Sequence, residues 1–365
     1  MRRPAVSPAR ALRHDLENAI SRGRDYLLAQ ADREFDEAAH EMRFPRRAGF
    51  RARQDLQRGD VFVRATLASI CLDLAELDAE ACGRSWHEIA SREADYVAES
   101  KLTDRAGGWS YFPNLPELPP DTDSLAVALR LFSRVAPHHL PLCDEPVRLA
   151  LAEQRPDGSL PTWIIGETDP QAGRRSMRRG ITRYWGSGAD VDVCARLFTA
   201  LHSADHARFS EAIRRGAEWI ASQQMPSGLW PATWYWGDVY GSGLCLDLLR
   251  RLNSSSAAVS RCLAAVRELQ RSDGGWGVWE SVPLDTAVAI ALLVDSGVAD
   301  TPERIRGGCR LLFEHQASDG SWPATPWIKM DPGRVSGRKL ATLAYQSRTV
   351  TTAFVMRSMA TIRRL

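Results

Sequence analysis

A short phrase that recurs along the chain constrains the fold more than any other feature of the sequence. Each copy ends a helical run with Gln or another polar residue, turns on glycine and closes on an aromatic residue, as in QRSDGGW and HQASDGSW. The Trp residues of three successive copies, Trp230, Trp276 and Trp322, stand 46 residues apart. A repeat of this length predicts stacked units, each of which buries its apolar face against its neighbours.

Each turn lies between two helices of different character. The helix before the turn is amphipathic, as in EAIRRGAEWIASQQ, and the helix after it is more apolar and rich in small residues, as in VDVCARLFTALHSA and LDTAVAIALLVDSG. With a first, degenerate unit that runs from ENAISRGRDYLLAQ to DVFVRATLASICLDL, the chain offers six helical hairpins. We expect an all-α (α/α)6 barrel, whose inner helices direct their N-terminal ends at one mouth of a central cavity.

Composition and charge exclude several classes of function. The 365 residues include 47 basic and 45 acidic side chains, and a net charge of +2 gives no case for nucleic-acid binding. Seven cysteines without a CxxC pair predict free thiols in a reducing cytosol. The sequence shows no signal peptide and no membrane span. We therefore expect one cytoplasmic domain over residues 1–365, with residues 1–15 a flexible extension. A peripheral membrane contact and a protein partner stay open.

The recurring phrases resemble the QW repeats of the squalene-hopene and oxidosqualene cyclases and their relatives. Over roughly residues 100–365 the matching segments, in the order of the family, are GGWSYFPNLPELPPDTDSLAVAL, ADVDVCARLFTAL, SGLWPATWYWGDVYGSG, SDGGWGVW and SDGSWPATPW. The resemblance implies a single terpene-cyclase barrel. It also implies class II chemistry on a small isoprenoid, in which an acid protonates a terminal alkene, any diphosphate is retained and protonation requires no cofactor.

The segment Asp121-Thr122-Asp123-Ser124 opens an apolar helix and resembles the DxDD acid motif of the family. Protonation of an unactivated alkene requires a buried carboxyl group that keeps its proton, and burial beside a second carboxylate raises a carboxyl pKa. The resemblance implies that Asp123 is the proton donor and that Asp121 tunes it. Ser124 replaces the last Asp of the motif, and its hydroxyl can hydrogen-bond Asp123. Ordinary capping of the helix is the alternative interpretation.

A second acidic pair, Asp190 and Asp192, opens the next inner helix. Such a pair at the mouth of the barrel predicts Mg²⁺ bound between carboxylates and a substrate phosphate, and two helix N-caps are the alternative. The hopene-forming members of the family also place a His against the acid, just before this helix. The stretch RRGITRYWGSG has no His, so Arg183 or Tyr184 is the candidate substitute.

The expected substrate is a C15–C20 prenyl diphosphate. Aromatic faces stabilise a carbocation by about 0.5–2 kcal/mol each, and the fork of an Arg side chain matches phosphate oxygens. Two segments are predicted to be basic loops that bind the diphosphate, RRSMRRGITR and KMDPGRVSGRK. Loops whose charges are simply solvated are the alternative. The aromatic candidates are Trp109, Tyr111, Phe112, Trp163, Tyr184, Trp185, Trp234, Trp236 and Tyr240. The basic candidates are Arg174, Arg178, Arg183, Arg334, Arg338 and Lys339.

Two other functions stay open on the same barrel. A prenyltransferase needs a zinc site of Asp, Cys and His late in the chain, and Asp247 follows Cys245 by two residues. The last inner helix, SRTVTTAFVMRSM, offers no His to complete that site. A non-catalytic barrel would bind an isoprenoid or a protein partner, and Ser124 in place of an Asp is the observation that favours it.

Overall fold

The fold is described from a computed structural model over residues 8–44, 56–77, 83–165, 171–186, 188–254, 256–295, 302–334 and 341–364. The α-helices in these ranges are α1 (Pro8–Ala31), α2 (Val61–Leu77), α3 (Gly83–Glu99), α4 (Thr122–Val135), α5 (Pro141–Ala152), α6 (Gln171–Tyr184), α7 (Val191–Ser222), α8 (Asp238–Arg251), α9 (Ser256–Glu268), α10 (Pro283–Asp295), α11 (Pro302–Glu314) and α12 (Arg348–Arg363). Two antiparallel pairs of short strands join β1 (His40–Met42) to β2 (Gln57–Gly59) and β3 (Thr325–Met330) to β4 (Leu343–Ser347).

Six helices form an inner ring. Helix α2 packs against α4 and α4 packs against α7, and the contacts continue through α8, α10 and α12 back to α2. Helices α1, α3, α5, α9 and α11 pack against this ring from outside. The arrangement confirms the all-α fold of helical hairpins predicted from the repeats.

Helix α7 serves both rings because it bends at Asp205. The backbone there leaves helical geometry (φ −161°, ψ 87°), and the Asp205 side chain accepts a hydrogen bond from the Arg208 amide at 3.0 Å. The segment before the bend is the predicted inner helix VDVCARLFTALHSA, and the segment after it is the predicted outer helix. A capped bend therefore replaces the loop expected between them.

The repeated turn phrase joins each unit to the next. Where a copy has Gln, its side-chain amide donates to the carbonyl of the turn glycine and to a carbonyl of the following unit. Where a copy ends on Trp, the indole donates to the preceding outer helix. Gln270 bonds Gly274 and Arg304, and Gln316 bonds Gly320 and Ala19, which links the last unit to α1. The indoles of Trp109, Trp230, Trp276 and Trp322 bond Val97, Ile220, Val266 and Leu312 respectively.

Three local predictions differ from the structure. Helix α1 begins at Pro8 and Leu12 packs against the core, so the predicted flexible extension over residues 1–15 is wrong from residue 8 onward. The segment RRSMRRGITR lies in α6 rather than in a loop, because Arg is a good helix former and Ile181 gives the helix a buried contact. The two strand pairs were not predicted, since their strands are only three to six residues long. Within the ranges given above, no helix has both the length and the apolar character needed to cross a bilayer.

A buried carboxyl group at the start of α10 makes the stability of the fold depend on pH. Burial raises the pKa of Asp285 to about 7. The unfolded chain releases this proton near pH 4, so between about pH 4 and 7 the folded state binds more protons and stability falls as the pH rises. In Asp285→Asn, we expect the free energy of unfolding to fall less steeply with pH over this window, by up to about 1.4 kcal/mol per pH unit. Urea denaturation at a series of pH values measures this slope.

The exposed Asp157 supplies the control for this measurement. Hydrogen bonds from Ser159 lower the pKa of Asp157, so the contribution of this carboxylate to stability grows as the pH rises, and it changes only at acidic pH. Asp157→Asn should therefore change the pH dependence of the unfolding free energy in the opposite direction. An unchanged slope in Asp285→Asn between pH 5 and 7 would contradict the assignment.

Candidate active site

An aromatic chamber lies at the N-terminal ends of the inner helices. Aromatic rings, aliphatic side chains and two carboxyl groups form its wall, and about 60 Å³ of it is open space. The lining residues are Phe44, Phe62, Tyr111, Phe112, Leu118, Asp121, Asp123, Thr162, Trp163, Trp185, Val193, Trp234, Tyr235, Ile328 and Met330.

Asp123 is a buried carboxyl group in the first turn of α4 and is 9% exposed. The Nε atom of Arg196 lies 2.8 Å from its Oδ1 atom, and the hydroxyl of Tyr235 donates to its Oδ2 atom. The contact with Arg196 is therefore a buried ion pair.

Burial and charge act on Asp123 in opposite directions. Burial, the larger effect, raises the pKa of Asp123 above its ordinary value, whereas Arg196 and the Tyr235 hydroxyl lower it. Arg196 also donates to the hydroxyls of Tyr235 and Tyr240, each at 2.9 Å. The site thus favours a protonated carboxyl group, and it stabilises the carboxylate that remains once the proton leaves.

Asp121 caps helix α4 beside the acid. Its carboxylate accepts hydrogen bonds from the Ser124 amide at 2.7 Å, the Ser124 hydroxyl at 2.9 Å and the Tyr111 amide at 3.2 Å. Burial, opposed by these bonds and assisted by the charge of Asp123, raises the pKa of Asp121 to about 7. The Ser124 hydroxyl bonds Asp121 rather than Asp123, which corrects the predicted partner.

The acidic pair of α7 organises the loop that carries Tyr235. Asp192 accepts hydrogen bonds from the amides of Thr233 and Trp234 at 2.8 and 2.9 Å, and burial raises its pKa to about 7. Asp190 accepts from the Thr162 hydroxyl and from the Trp234 indole, both at 2.7 Å.

These contacts correct the predicted Mg²⁺ site. Arg334 lies 3.4 Å from both carboxylate oxygens of Asp190. The oxygens of Asp190 and Asp192 therefore face N–H and O–H donors and a guanidinium, a set that does not fit a divalent cation.

The structure brings about half of the predicted aromatic residues together. Tyr111, Phe112, Trp163, Trp185 and Trp234 line the chamber. The other four lie elsewhere, which corrects their predicted place in the wall. Trp109 packs against Phe132 between α3 and α4, Tyr184 ends α6 and Trp236 contacts Trp279. Tyr240, in the first turn of α8, packs against Tyr235 and accepts a hydrogen bond from Arg196 behind the chamber wall.

The two basic segments meet at the mouth of the chamber. The Gly333 amide donates to the Tyr184 carbonyl at 2.7 Å, which joins the loop after β3 to the end of α6. The Arg334 guanidinium lies over the ring of Trp234, 4.7 Å from its centroid. Arg183 is exposed with its guanidinium over Tyr184, and Arg178 is paired with Glu153. Arg338, Lys339 and the side chain of Arg174 lie outside the described part of the chain.

Sequence reasoning missed the two residues that contact the acid most closely. Arg196 and Tyr235 occupy the position expected for Arg183 or Tyr184. Arg196 had a signal, because it is the one charge within the apolar run VCARLFTAL of a predicted inner helix. Tyr235 lay unrecognised between two Trp residues that were themselves predicted to bind substrate.

Comparison with known proteins agrees with this architecture. The model of the squalene-hopene cyclase C-terminal domain matches residues 187–335. An ent-copalyl diphosphate synthase from Streptomyces sp. (strain KO-3988) is 32% identical over 116 residues, which cover 31% of this chain and 23% of that protein. A labda-7,13-dienyl diphosphate synthase from Streptomyces clavuligerus is 25% identical over 217 residues, which cover 59% of this chain and 35% of that protein. The matches thus span about a third or less of these relatives.

A solved structure shares the fold over nearly the whole chain. It is a type II terpene cyclase from Scytonema in complex with its substrate geranylgeranyl dihydroxybenzoate. The similarity has a TM-score of 0.72 at 16% identity and covers 97% of this chain and 99% of the other. At this level of identity the likeness supports the fold.

Proposed function

Because this chain belongs to the class II terpene cyclase family, we propose that it cyclises a linear isoprenoid by protonating its terminal alkene. The proposed substrate is a C15–C20 prenyl diphosphate whose diphosphate stays attached. One observation carries the proposal: Asp123 is a buried carboxyl group in the wall of an aromatic chamber, and Arg196 and Tyr235 contact its two oxygens.

The contacts of Asp123 suit a general acid that works once per turnover. Burial raises the pKa of the Asp123 carboxyl group and so favours its protonated form before the reaction. As the proton passes to an alkene carbon, negative charge develops on Asp123, and Arg196 and Tyr235 are already placed to stabilise it. Groups that are already in place to stabilise the charge formed in the transition state lower the activation barrier, because they do not have to reorient during the reaction.

The remaining wall suits the cation that protonation creates. Eight of the lining residues are aromatic, and their faces attract positive charge. An apolar wall also excludes water, which would otherwise quench the cation. The open space of about 60 Å³ is small beside an isoprenoid chain. An isoprenoid therefore enters only as lining side chains change rotamer.

Arg334 is placed to bind the diphosphate. It lies at the mouth formed by the end of α6 and the loop after β3, beside Trp234 of the chamber wall. A hydrogen bond to a charged group contributes about 1.5–3 kcal/mol. We therefore expect Arg334→Ala to raise the KM for a prenyl diphosphate about 10- to 100-fold, with kcat changed much less, in steady-state kinetics. Arg214→Ala, which removes a surface pair on the outer half of α7, is the control. An unchanged KM in Arg334→Ala would remove this residue from the diphosphate site.

To test the proposed function, the protein is incubated in parallel with three substrates: farnesyl diphosphate, geranylgeranyl diphosphate and geranylgeranyl dihydroxybenzoate. Phosphatase treatment and mass spectrometry of the extract should reveal a cyclic alcohol isomeric with the linear one from a diphosphate substrate. A cyclic product from the benzoate alone would overturn the proposed head group but keep the chemistry. Binding without any cyclic product would favour a non-catalytic barrel, to which the small open volume also points.

A zinc-dependent prenyltransferase is the weaker alternative. Among the described residues, three metal-ligand atoms come within 4.8 Å of one another only at Asp95, His138 and His139, which do not line the chamber. Cys245, Cys262 and Cys309 are buried free thiols. The late Asp, Cys and His set that such an enzyme needs is therefore not assembled in this part of the chain.

A further inference from the structure

A buried histidine stands directly behind the chamber wall. The Nδ1 atom of His40, in β1, lies 3.0 Å from the hydroxyl oxygen of Tyr111, which lines the chamber. The His40 ring stacks on Tyr345 at 4.7 Å and meets the edge of Phe112, so its position is fixed from both sides. His40 also lines a surface pocket of about 390 Å³ together with Asp36, Glu37 and Glu41. One imidazole thus lies between the chamber and an open pocket.

We propose that Tyr111 and His40 form the base that ends the cyclisation, with Tyr111 as the catalytic residue and His40 as the group that receives the proton through it. This inference rests on the proposed cyclisation. Protonation by Asp123 leaves a cation, and an isomeric product forms only if the last cation loses a proton from a neighbouring carbon. Tyr111 is the lining hydroxyl that contacts an imidazole.

The transfer balances in one step. The C–H bond beside the cationic carbon breaks, its electron pair becomes the new carbon–carbon double bond, and the proton passes to the Tyr111 oxygen. The Tyr111 hydroxyl proton moves at the same time to Nδ1 of His40. Tyr111 thus ends neutral and His40 ends as an imidazolium.

The placement of the pair relative to the acid suits a fused-ring product. Phe62 contacts both sites, since its ring centroid is 5.3 Å from the Arg196 guanidinium and 5.7 Å from the Tyr111 ring. Tyr111 and Asp123 also line the same chamber. In a fused bicycle the first and last cationic carbons are separated by only a few bonds, so an acid and a base in one chamber match such a product.

The surroundings of His40 also allow it to be reset. Burial lowers the pKa of His40 to about 4, so its ring is neutral before the reaction and Nδ1 can accept the Tyr111 proton. A weak base is sufficient, because a C–H bond beside a carbocation is very strongly acidic. The same low pKa returns the proton to water through the surface pocket, in which Arg58 pairs with Asp36 and Glu41.

The test compares products rather than rates. Wild type, Tyr111→Phe, His40→Phe and Tyr26→Phe are incubated with geranylgeranyl diphosphate in ¹⁸O-water, and the ratio of hydroxylated to unsaturated cyclic product is measured. Loss of a general base slows its step about 10²- to 10⁴-fold, so water captures the cation instead. We expect the ratio to rise at least about tenfold in the first two variants, with ¹⁸O in the hydroxylated product. Tyr26→Phe, which removes a hydroxyl of α1 that contacts the Thr349 hydroxyl at 3.5 Å and does not line the chamber, should keep the wild-type ratio.

The outcomes separate this inference from the proposed function. A wild-type ratio in either Tyr111→Phe or His40→Phe overturns the pair, as does a wild-type product that is mainly hydroxylated, while cyclisation itself would stand. Because a product ratio does not depend on the amount of folded protein, partial loss of folding does not obscure the result. A wild type that forms no cyclic product overturns the proposed function, and this inference with it.

Discussion

Replacement of Asp123 by Asn should reduce cyclisation by at least about 10⁴-fold, at the upper end of what a general acid contributes. The amide has the size of the carboxyl group, so the chamber keeps its shape, but it has no acidic proton to give. The carboxyl groups of Asp121 and Asp192 do not replace it, because their oxygens accept hydrogen bonds from backbone amides. Product formation is measured by mass spectrometry over a time course.

The affinity for substrate separates loss of the acid from loss of the fold. Asp123→Asn should bind geranylgeranyl diphosphate within a few-fold of wild type in titration calorimetry, since the aromatic wall and the mouth are unchanged. Full turnover in this variant would remove Asp123 from the mechanism. Loss of both binding and folded structure would show that Asn is not tolerated there, and Asp123→Glu, which keeps the acid but displaces it, then serves as the second variant.

Replacement of Arg196 by Met should have the second largest effect. Arg196 pairs with Asp123 and holds Tyr235 and Tyr240. Removal of one partner from a buried pair costs about 3–5 kcal/mol. The negative charge on Asp123 develops as its proton leaves, so without Arg196 this free energy is added to the activation barrier. We therefore expect kcat to fall by about two to four orders of magnitude.

The pH profile distinguishes this role from a structural one. Arg196 lowers the pKa of Asp123, so its removal raises that pKa, and Asp123 stays protonated to higher pH. The alkaline limb of the kcat profile should therefore move to higher pH in Arg196→Met. Tyr240→Phe removes one hydrogen bond of Arg196 but no contact of Asp123, and we expect at most about a tenfold loss of kcat, equal to about 1.4 kcal/mol. A fall in kcat without movement of the alkaline limb would contradict the assignment.

The repeats made the helical rings predictable, because each turn phrase has a local physical purpose. A Gln at the end of a helix, a glycine in the left-handed region and a Trp together mark the junction of two units. The structure shows the bonds that make this junction, as at Gln270, Gly274 (φ 90°) and Trp276. Helix α6 and the strand pairs carry no such phrase. Strand β3 also depends on a distant part of the chain, as the pairing of Tyr235 with Ile328 shows.

The candidate site was predictable only in part, for the same reason. Asp121 and Asp123 stand in a recognisable segment at a helix start, and they lie in the chamber wall. Their partners are far away in sequence, since Tyr235 is 112 residues from Asp123. Whether Asp190 and Asp192 bind a metal ion or accept hydrogen bonds depends on the groups that face them. Those groups are hydrogen-bond donors from the loop before α8 and from Arg334. A spacing rule for carboxylates does not contain that information.

Cyclisation in deuterium oxide tests the central claim most directly. The carboxyl proton of Asp123 exchanges with solvent, so a reaction that begins by protonation transfers one deuteron to carbon. We predict that the wild-type protein converts geranylgeranyl diphosphate in deuterium oxide into a cyclic product that retains its diphosphate and gains one carbon-bound deuterium. A cyclic product without deuterium, or one that has lost its diphosphate, would contradict the account.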